Sequence, residues 1–297
     1  MDQHSLEALN ASAFKHKGIY FDSTITSPEI IDAIENMKIR DSDVFLVTYP
    51  KSGTIWTQQI LSLIFNEGHR NGTENIDNLE RVPWIEYNMR NYDFNSRPSP
   101  RLFTTHFPYY LMPRDLKFRM GKIIYVYRNP KDVLVSYYHF YKLNSRVKYT
   151  ITWETFLDLY MSGRVLGGSW FDHLRGWYTH QEDFSILFMT YEEMKKDLRS
   201  AVLKISKFVD INLDEKAVDI VVKKATFKNM KEDPLANYKF IPNDILDQSK
   251  GLFVRKGIVG DWKNMMTVAQ CEMFDKIYTE KMGDLPMKIV WDLNEEI

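Results

Sequence analysis

Apolar residues along this chain follow two alternating patterns. Short runs of β-branched and aromatic residues are typical of strands, and segments in which apolar residues recur every three or four positions are typical of helices. The predicted strands are Val44–Tyr49, Arg101–His106, Lys122–Arg128 and Ser185–Tyr191. Because helical segments separate them, the pattern predicts an α/β fold: a single domain over residues 1–297 with a central, mostly parallel sheet flanked by helices.

The segments between the strands are predicted to be helices and loops. Residues 1–43 are expected to form an N-terminal arm and a short helix. The irregular segment 82–100 is rich in Pro and Asn, and is expected either to cover a pocket or to lack order. The predicted helices are Pro28–Met37, Trp153–Met161, Trp170–Tyr178, Glu192–Phe208, Asp214–Ala225 and Thr267–Lys281, together with one after Pro130 that carries the stripe Leu134, Tyr137, Tyr138 and Tyr141.

The segment after the first strand has the features of an anion-binding turn. The strand breaks at Pro50, and a helix follows the turn Lys51-Ser52-Gly53-Thr54. A helix that begins here directs unpaired N–H groups and the positive end of its dipole at whatever lies above the strand. Lys51 adds a full charge, and Gly53 allows the backbone to approach a ligand closely. This pattern predicts a phosphate-binding strand-loop-helix, although a purely structural turn is the simpler alternative.

An ATP-dependent kinase is a weaker alternative for this turn. A nucleoside-triphosphatase loop needs a glycine, four residues, and then Gly-Lys-Ser/Thr. Here Lys51 precedes the only glycine of the turn, and no second glycine lies upstream.

Two further predicted strands end in polar side chains. His106 ends the second strand, and Arg128 ends the third, with Ser136 on the helix that follows. Because ligands of open α/β sheets bind outside the carboxyl ends of the strands, these groups and Lys51 are expected to meet at one edge. The planar fork of Arg128 matches phosphate oxygens, so it predicts a second phosphate subsite.

Composition and charge exclude several function classes. The chain has 39 Lys and Arg against 40 Asp and Glu, so its net charge of -1 argues against a nucleic-acid or membrane-surface partner. The single Cys271 excludes an internal disulfide framework, and no ligand-spaced cluster predicts a metal. No run approaches the roughly 18 apolar residues of a membrane span, and the N-terminus does not match a secretory signal. A cytoplasmic protein is expected.

Three motifs together resemble one family. They are Pro50-Lys-Ser-Gly-Thr-x-Trp56 after a strand, Arg128 with Ser136, and Arg255-Lys-Gly-x-x-Gly-Asp-Trp-Lys263 near the C-terminus. This combination closely resembles the cytosolic sulfotransferases, and the resemblance runs from about Gly18 to about Asp284. The sequence also looks somewhat like the amine sulfotransferase branch.

The resemblance implies a donor, 3'-phosphoadenosine 5'-phosphosulfate (PAPS), and the product adenosine 3',5'-bisphosphate (PAP). By matching positions, the 5'-phosphosulfate is expected at the Lys51 turn, the 3'-phosphate at Arg128, Ser136 and Arg255, and the adenosine among aromatic side chains. The full expected donor set is Lys51, Ser52, Gly53, Thr54, Ile55, Trp56, Arg128, Ser136, Tyr191, Ala225, Thr226, Phe227, Lys228, Asn229, Met230, Phe253, Val254, Arg255, Lys256 and Gly257.

His106 and Lys51 are the expected catalytic residues. Imidazole titrates near neutrality, so His106 can take a proton from an acceptor hydroxyl or amine as the acceptor attacks sulfur. Its setting, Thr-His-Phe-Pro, resembles the family's Thr/Ser-His-Leu-Pro. Lys51 is expected to neutralise the charge that develops on the bridging oxygen as the sulfonyl group leaves.

An apolar acceptor pocket is expected from the same resemblance. Its residues are Trp84, Tyr87, Thr104, Thr105, His106, Phe140, Tyr238 and Phe240. Trp84, Tyr87, Phe140, Tyr238 and Phe240 fall in regions that match the family's acceptor-lining loops, and they favour a small hydrophobic, aromatic acceptor. Residues 82–100 and 238–257 are the expected acceptor and donor loops. Glu86 could favour a cationic amine, although a solvent-facing charge is the simpler interpretation.

Four positions depart from the commonest family pattern. Thr104 stands where many members carry Lys, Ile55 where many carry a second Thr, Ala225 where Thr is frequent, and Met266 where Phe is usual. The first two changes remove polar groups near the reacting centre. They leave open an alternative function as a nucleotide-binding or small-molecule carrier that keeps the donor pocket with little turnover.

A homodimer is expected from the C-terminal motif. Lys263, Thr267, Val268 and Glu272 match the family's Lys-x-x-x-Thr-Val-x-x-x-Glu dimer pattern. Lysine and glutamate on either side of a Thr-Val core can pair reciprocally around a two-fold axis. Thr267 can also serve as a helix N-cap, and the two roles are compatible.

Overall fold

Four parallel strands form the centre of the computed structural model, which describes residues 13–69, 75–145 and 151–293. They are β3 (Val44–Thr48), β4 (Leu102–Thr105), β5 (Lys122–Tyr127) and β6 (Ile186–Thr190), in the spatial order β4-β3-β5-β6. The chain pairs β4 to one side of β3 and β5 to the other, so the sheet has a switch point at β3 where ligands of such folds bind. The predicted α/β fold with a central parallel sheet is confirmed.

Helices cover both faces of this sheet. They are α1 (Pro28–Ile34), α2 (Thr54–Phe65), α3 (Asn78–Arg81), α4 (Pro130–Leu143), α5 (Trp153–Met161), α6 (Trp170–Thr179), α7 (Tyr191–Lys196), α8 (Leu198–Phe208), α9 (Glu215–Lys224), α10 (Phe227–Glu232) and α11 (Val268–Met282). Short 3-10 turns occupy Tyr109–Leu111, Arg114–Phe118, Gln181–Asp183, Gln248–Lys250 and Asp261–Asn264.

The two faces of β3 show why its residues form a continuous apolar run. Phe45 and Val47 pack in a core with α4, α5 and α6, whereas Leu46 packs in a second core with α2, α8 and α9. Both cores exclude water almost completely. A strand buried on both faces loses the alternation of apolar and polar residues, as the sequence shows.

Two predicted elements differ from the structure. The single helix predicted over Glu192–Phe208 is broken at Asp197, whose backbone leaves the helical region and whose carboxylate accepts a bond from Ser200 N at 2.9 Å to cap α8. The N-terminal arm contains an antiparallel hairpin, β1 (Ala13–His16) and β2 (Ile19–Asp22). The first 12 residues of the predicted arm lie outside the described residues.

The connection 82–100 is ordered by long-range contacts. Ile85 N donates to Thr104 O at 3.1 Å and Thr104 N donates to Pro83 O at 2.8 Å. This segment therefore pairs with the edge of β4 that faces away from β3. The buried Arg101 anchors its end, where Nε donates to Asp43 Oδ1 at 2.8 Å. The segment is thereby fixed beside the ends of the central strands.

Candidate active site

A cavity of about 300 Å³ lies at the carboxyl edge of the sheet. The residues after each central strand contribute to it: Lys51 after β3, His106 after β4, Arg128 after β5 and Tyr191 after β6. The predicted convergence of the three strand ends is therefore seen in the structure. We call the part around Lys51, Arg128 and residues 253–258 the donor end, and the part around His106, Trp84 and Tyr87 the acceptor end.

The turn after β3 has the backbone geometry that the glycine pattern suggested. Gly53 has φ of 105° and precedes the first turn of α2, and a Cβ there would come within 2.8 Å of the Tyr191 ring. Lys51 itself has φ of 70°, which a lysine rarely adopts. Ser52 Oγ is buried and has no hydrogen-bond partner among the described residues. A buried hydroxyl without a partner is suited to receive a ligand oxygen.

Lys51 lies between two aromatic rings. Its Nζ is 4.5 Å from the centre of the Phe140 ring and 4.1 Å from that of Phe253. Burial, with smaller contributions from Arg128 and Arg255, lowers the pKa of Lys51 to about 7. An anion at the donor end would relieve this repulsion, because an opposite charge favours the protonated amine.

Arg128 links the Lys51 turn to the C-terminal loop. Its guanidinium donates to Lys51 O at 3.3 Å and to Ile258 O at 2.9 Å, and it lies 4.2 Å from the Tyr191 ring centre. Its Nε is buried and has no hydrogen-bond partner within residues 13–69, 75–145 and 151–293. On the loop, Asp261 accepts from Arg255 at 2.6 Å and from Lys256 at 2.7 Å.

His106 is held in one tautomer. Its Nδ1 donates to Thr48 O, the last residue of the neighbouring strand, at 2.6 Å. Because a carbonyl oxygen can only accept, Nδ1 carries the proton and Nε2 keeps a lone pair. Burial, and then the nearby His173 and Lys51, lower the pKa of His106 to about 3, so the ring is neutral at physiological pH.

The backbone of His106 is bound on both sides. Its N–H donates to Glu86 Oε1 at 2.6 Å, and its carbonyl accepts from His173 Nε2 at 3.1 Å. Tyr125 in turn donates its hydroxyl to His173 Nδ1 at 2.8 Å. These buried contacts fix the position from which the imidazole projects.

Glu86 is not solvent-facing. It is 0% exposed, so the simpler interpretation of this residue from sequence was wrong. Burial raises the pKa of Glu86 to about 7, although its bond from the His106 N–H opposes the shift. Glu86 does not line the cavity, and its carboxylate supports His106 from behind.

Comparison with known proteins agrees with this geometry. A sulfotransferase domain model matches residues 41–286. An amine sulfotransferase of Oryctolagus cuniculus is 55% identical over 282 residues, which cover 94% of this chain and 94% of that protein. Sulfotransferase 2B1 of Mus musculus is 41% identical, with 95% of this chain and 84% of that protein covered.

The chain belongs to the sulfotransferase family.

A solved structure supports the same assignment. A mouse sulfotransferase crystallised with PAP superposes with a TM-score of 0.77 and 34% identity, covering 92% of this chain and 95% of that one. The protein is a PAPS-dependent sulfotransferase, and a small-molecule acceptor fits this family. No helix in the described part of the chain is long and apolar enough to cross a membrane.

The donor end of this sulfotransferase fits a nucleotide with two separate phosphate groups. Ser52 Oγ and Arg128 Nε are buried polar atoms without protein partners among the described residues, one at each predicted phosphate subsite. Trp56 and Tyr191 form an aromatic wall with ring centres 5.2 Å apart. A Cβ on Gly257 would come within 2.2 Å of Phe227, so this loop approaches the ring as closely as a glycine allows.

The acceptor end is walled by aromatic side chains. Trp84 lies with its ring centre 4.5 Å from that of His106 and donates through Nε1 to the Tyr238 hydroxyl at 3.2 Å. Tyr238 donates to Gln58 Oε1 at 2.9 Å, and Gln58 Nε2 donates to Thr104 Oγ1 at 3.0 Å. This chain of bonds holds the aromatic wall in place.

The structure brings most of the predicted site residues to the cavity, but not all of them. Those that line it are Lys51, Gly53, Thr54, Ile55, Trp56, Trp84, Tyr87, His106, Arg128, Ser136, Phe140, Tyr191, Phe227, Met230, Tyr238, Phe253, Val254, Arg255, Lys256 and Gly257. Those that do not line it are Ser52, Thr104, Thr105, Ala225, Thr226, Lys228, Asn229 and Phe240.

Three of the non-lining residues have their polar groups bonded elsewhere. The buried Thr104 hydroxyl is engaged by Gln58 and by Val82 O at 3.2 Å, which corrects its expected place in the acceptor pocket. Thr105 Oγ1 accepts from Phe107 N at 3.0 Å. Ala225 uses its carbonyl to accept from Trp56 Nε1 at 2.7 Å, so it positions the aromatic wall from behind.

The sequence did not identify several lining residues. Asp22, Ile25, Leu166 and Lys195 all line the cavity. They lie on the N-terminal hairpin and on segments far from the three motifs. No local pattern distinguishes them from surface or core residues, and a lone Asp or Lys carries no motif.

Proposed function

We propose that this sulfotransferase transfers the sulfonate group of PAPS to the amine or hydroxyl of a small hydrophobic, aromatic acceptor. The observation that carries the proposal is the tautomer of His106, which lines the same cavity as Lys51 and keeps Nε2 as a proton acceptor. A sulfonyl transfer requires a base for the proton of the attacking acceptor atom and a cation for the charge on the leaving phosphate oxygen, and this cavity holds both.

The bound donor supplies a sulfonyl group attached to a phosphate leaving group. The lone pair of the acceptor oxygen or nitrogen forms the new bond to sulfur, and His106 Nε2 takes the proton that this atom loses. The bond from sulfur to the bridging oxygen breaks, and its electron pair stays on the phosphate. Lys51 Nζ stabilises the charge that develops there.

The proposed donor contacts follow the geometry of the cavity. Lys51, Thr54 and the buried Ser52 would hold the 5'-phosphate, and Arg128, Ser136 and Arg255 would hold the 3'-phosphate, because each carries a donor group suited to anionic oxygens. Of these six residues, Ser52 alone does not line the cavity. Trp56, Tyr191 and Phe227 would surround the adenosine. We propose residues 82–100 and 238–257 as the acceptor and donor loops.

The amine branch is the better supported of the two acceptor types. The rabbit relative named amine sulfotransferase is 55% identical over almost the whole chain. The apolar rings at the acceptor end favour an aromatic body beside the reacting group.

A panel of arylamines, phenols and alcohols with labelled PAPS tests the proposal. We expect a labelled product from an arylamine, and little or no product from His106→Ala, which should still bind PAP as judged by its increase in melting temperature. Arg255→Ala serves as the matched variant, and we expect it chiefly to lower the affinity for PAP. An equal loss of PAP affinity in both variants would contradict the separate roles of His106 as the base and Arg255 as a residue that binds the donor.

The alternative is a carrier that retains the donor pocket. It is motivated by Thr104 and Ile55, which replace polar residues common in the family. A chain that PAP stabilises but that sulfonates no member of the panel would support the carrier and overturn the proposed transfer.

We also propose a homodimer through Lys263, Thr267, Val268 and Glu272, and a cytoplasmic location. Val268 is 75% exposed at the first turn of α11, so its side chain is accessible to a partner surface. Thr267 caps α11 through its hydroxyl, so the predicted N-cap is present. The location rests on the resemblance to cytosolic sulfotransferases.

A further inference from the structure

Beyond α11 the chain continues as a tail, residues 284–293, that packs beside the donor end of the cavity. Its Trp291 lies outside the cavity lining but contacts both elements that carry the proposed 3'-phosphate ligands. One element is the segment from Arg128 into the first turn of α4. The other is the C-terminal loop, residues 253–262, which carries Arg255.

The main-chain carbonyl of Trp291 joins these two elements. Its oxygen accepts from Asn129 Nδ2 at 3.2 Å and from Trp262 Nε1 at 3.3 Å, which uses both of its lone pairs. Asn129 directly follows Arg128, and Trp262 belongs to the C-terminal loop. One atom of the tail therefore bridges the two halves of the proposed 3'-phosphate subsite.

The ring of Trp291 fixes the tail at the same place. Lys131 Nζ lies 5.0 Å from the centre of this ring and 4.5 Å from that of Trp262, so one ammonium group contacts both indoles. Asp275 of α11 pairs with the same amine at 2.6 Å, and the Lys131 side chain is only 4% exposed. Contacts between a cation and a ring are strongest when water is excluded. The Tyr278 ring packs edge-on against Trp291 with ring centres 5.2 Å apart.

The spacing between Arg128 and Arg255 matters because the two residues come from segments that are distant in sequence. Arg128 Nε is buried and has no hydrogen-bond partner in the part of the chain that the structure describes, so it is suited to receive a ligand oxygen. Groups that bind one ligand together must be held within about 0.5 Å of the productive geometry. The bonds to the Trp291 carbonyl act on this spacing, because one comes from the residue after Arg128 and the other from the loop of Arg255.

We infer that Trp291 is a positioning residue for the 3'-phosphate of the donor. The inference rests on the proposed 3'-phosphate subsite and adds to it a residue that the donor does not touch. Trp291 makes its hydrogen bonds and ring contacts with Asn129, Lys131, Trp262 and Tyr278, all of which lie outside the Lys51 turn. Loss of Trp291 should therefore change how the 3'-phosphate is held and leave the 5'-phosphate as it was.

Two variants of the full chain test this, together with a matched control. Trp291→Ala removes the ring, and Trp262→Phe keeps a ring beside Lys131 but removes the indole donor to the Trp291 carbonyl. Trp153→Phe is the control, because it removes an indole bond of the same kind on α5, from Nε1 to Gln270 Oε1 at 3.1 Å. Calorimetry gives the dissociation constant of PAP, and phosphorus NMR at saturating PAP gives separate signals for its 3'- and 5'-phosphates.

We expect Trp291→Ala to raise the dissociation constant of PAP roughly 3- to 10-fold, because binding must then also order the loop. The 3'-phosphate signal should shift, and the 5'-phosphate signal should stay at its wild-type position. Trp262→Phe should change the same two quantities in the same direction by a smaller amount, and it decides the question if Trp291→Ala does not fold. Trp153→Phe should leave both quantities unchanged.

Arg255→Ala separates this inference from the proposed subsite on which it rests. If Arg255→Ala lowers the affinity for PAP and moves the 3'-phosphate signal but the Trp291 and Trp262 variants do neither, the inference is overturned. Equal shifts of both phosphorus signals in Trp291→Ala would also overturn it, because they would show a general loosening of the donor end. An Arg255→Ala variant that binds PAP as the wild type does would count against the proposed subsite instead.

Discussion

Lys51 combines a left-handed backbone, two flanking rings and a lowered pKa. Sequence predicted its place after β3 and its anion-binding role, because Pro50 and Gly53 mark the turn. It did not predict the sandwich between Phe140 and Phe253, which come from α4 and from the C-terminal loop. Likewise, the pattern identified His106 as a candidate base, but only the register of β3 and β4 shows which ring nitrogen carries the proton.

The lowered pKa of Lys51 gives a pH dependence of donor binding. Below about pH 7 the amine is charged in the free protein. Bound phosphates raise its pKa, so above pH 7 binding requires proton uptake and the affinity falls, by up to about tenfold per pH unit. The phosphates themselves are ionised throughout this range, since their second pKa is about 6.

Calorimetric titration with PAP over roughly pH 7 to 9 at constant ionic strength checks this expectation. Lys51→Met provides the control, because it should bind PAP more weakly but with a flatter profile. A wild-type affinity that stays constant over the range would show that Lys51 does not titrate there.

At the scale of elements, the loop that contains Arg255 is organised by carboxylates. Asp132, in the first turn of α4, accepts from Gly260 N at 2.8 Å and from Trp262 N at 3.1 Å, while Asp261 holds Arg255 and Lys256. This loop carries the C-terminal motif that begins at Arg255. The structure shows that its cations are positioned before any ligand binds.

Two glycines of this loop form a matched pair for mutation. Gly257 has φ of 64° and Gly260 has φ of 86°, so alanine is strained at both. A Cβ at Gly257 would also meet Phe227 at 2.2 Å, whereas one at Gly260 would meet nothing within 4 Å. We expect Gly257→Ala to lower the affinity for PAP about tenfold more than Gly260→Ala does, a difference of about 1.4 kcal/mol in binding free energy.

Calorimetry with PAP measures the difference between the two variants. Similar losses in both would mean that backbone strain, and not the approach of the loop to Phe227, controls donor affinity.

Element boundaries were predicted where local signals coincide and missed where they do not. Trp153–Met161 agrees at both ends, because Thr152 caps it and its apolar spacing is regular. The break at Asp197 was missed, since apolar spacing continues through it and an aspartate inside a helix costs little. The order of 82–100 depends on pairing with β4, a contact between distant residues that no local pattern reports.

For the whole molecule, alternation of strands and helices was sufficient to predict the class of fold and the edge where ligands bind. It could not predict that the N-terminal hairpin brings Asp22 to the same cavity, because that placement depends on packing between Phe21 and Phe107. The ends of the central strands placed the predicted Lys51, His106 and Arg128 in the cavity, whereas Asp22 comes from the hairpin.

The proposed dimer can be tested with two exposed apolar residues. Val268 is 75% exposed and Phe118 is 78% exposed, but only Val268 belongs to the C-terminal motif. We expect Val268→Glu to convert the dimer to monomer, because a buried unpaired charge at a two-fold contact repels its own copy. Phe118→Glu should leave the dimer intact.

Sedimentation of both variants and the wild type over a range of concentrations decides the question. The C-terminal motif would be excluded as the dimer interface by either of two results. One is a wild type that sediments as a monomer at every concentration, and the other is a dimer that both substitutions dissociate to the same extent.

The bond from His106 Nδ1 to Thr48 O has a consequence for mutational scanning. Its acceptor is main chain, so replacing the Thr48 side chain removes only the longer contact of Thr48 Oγ1 with His106 Nδ1, at 3.2 Å, and leaves the bond to the carbonyl in place. A shift of β4 against β3 by one residue would remove the bond and turn every side chain of the strand to its opposite face. The tautomer is thus protected from point mutation by the same pairing that holds the sheet together.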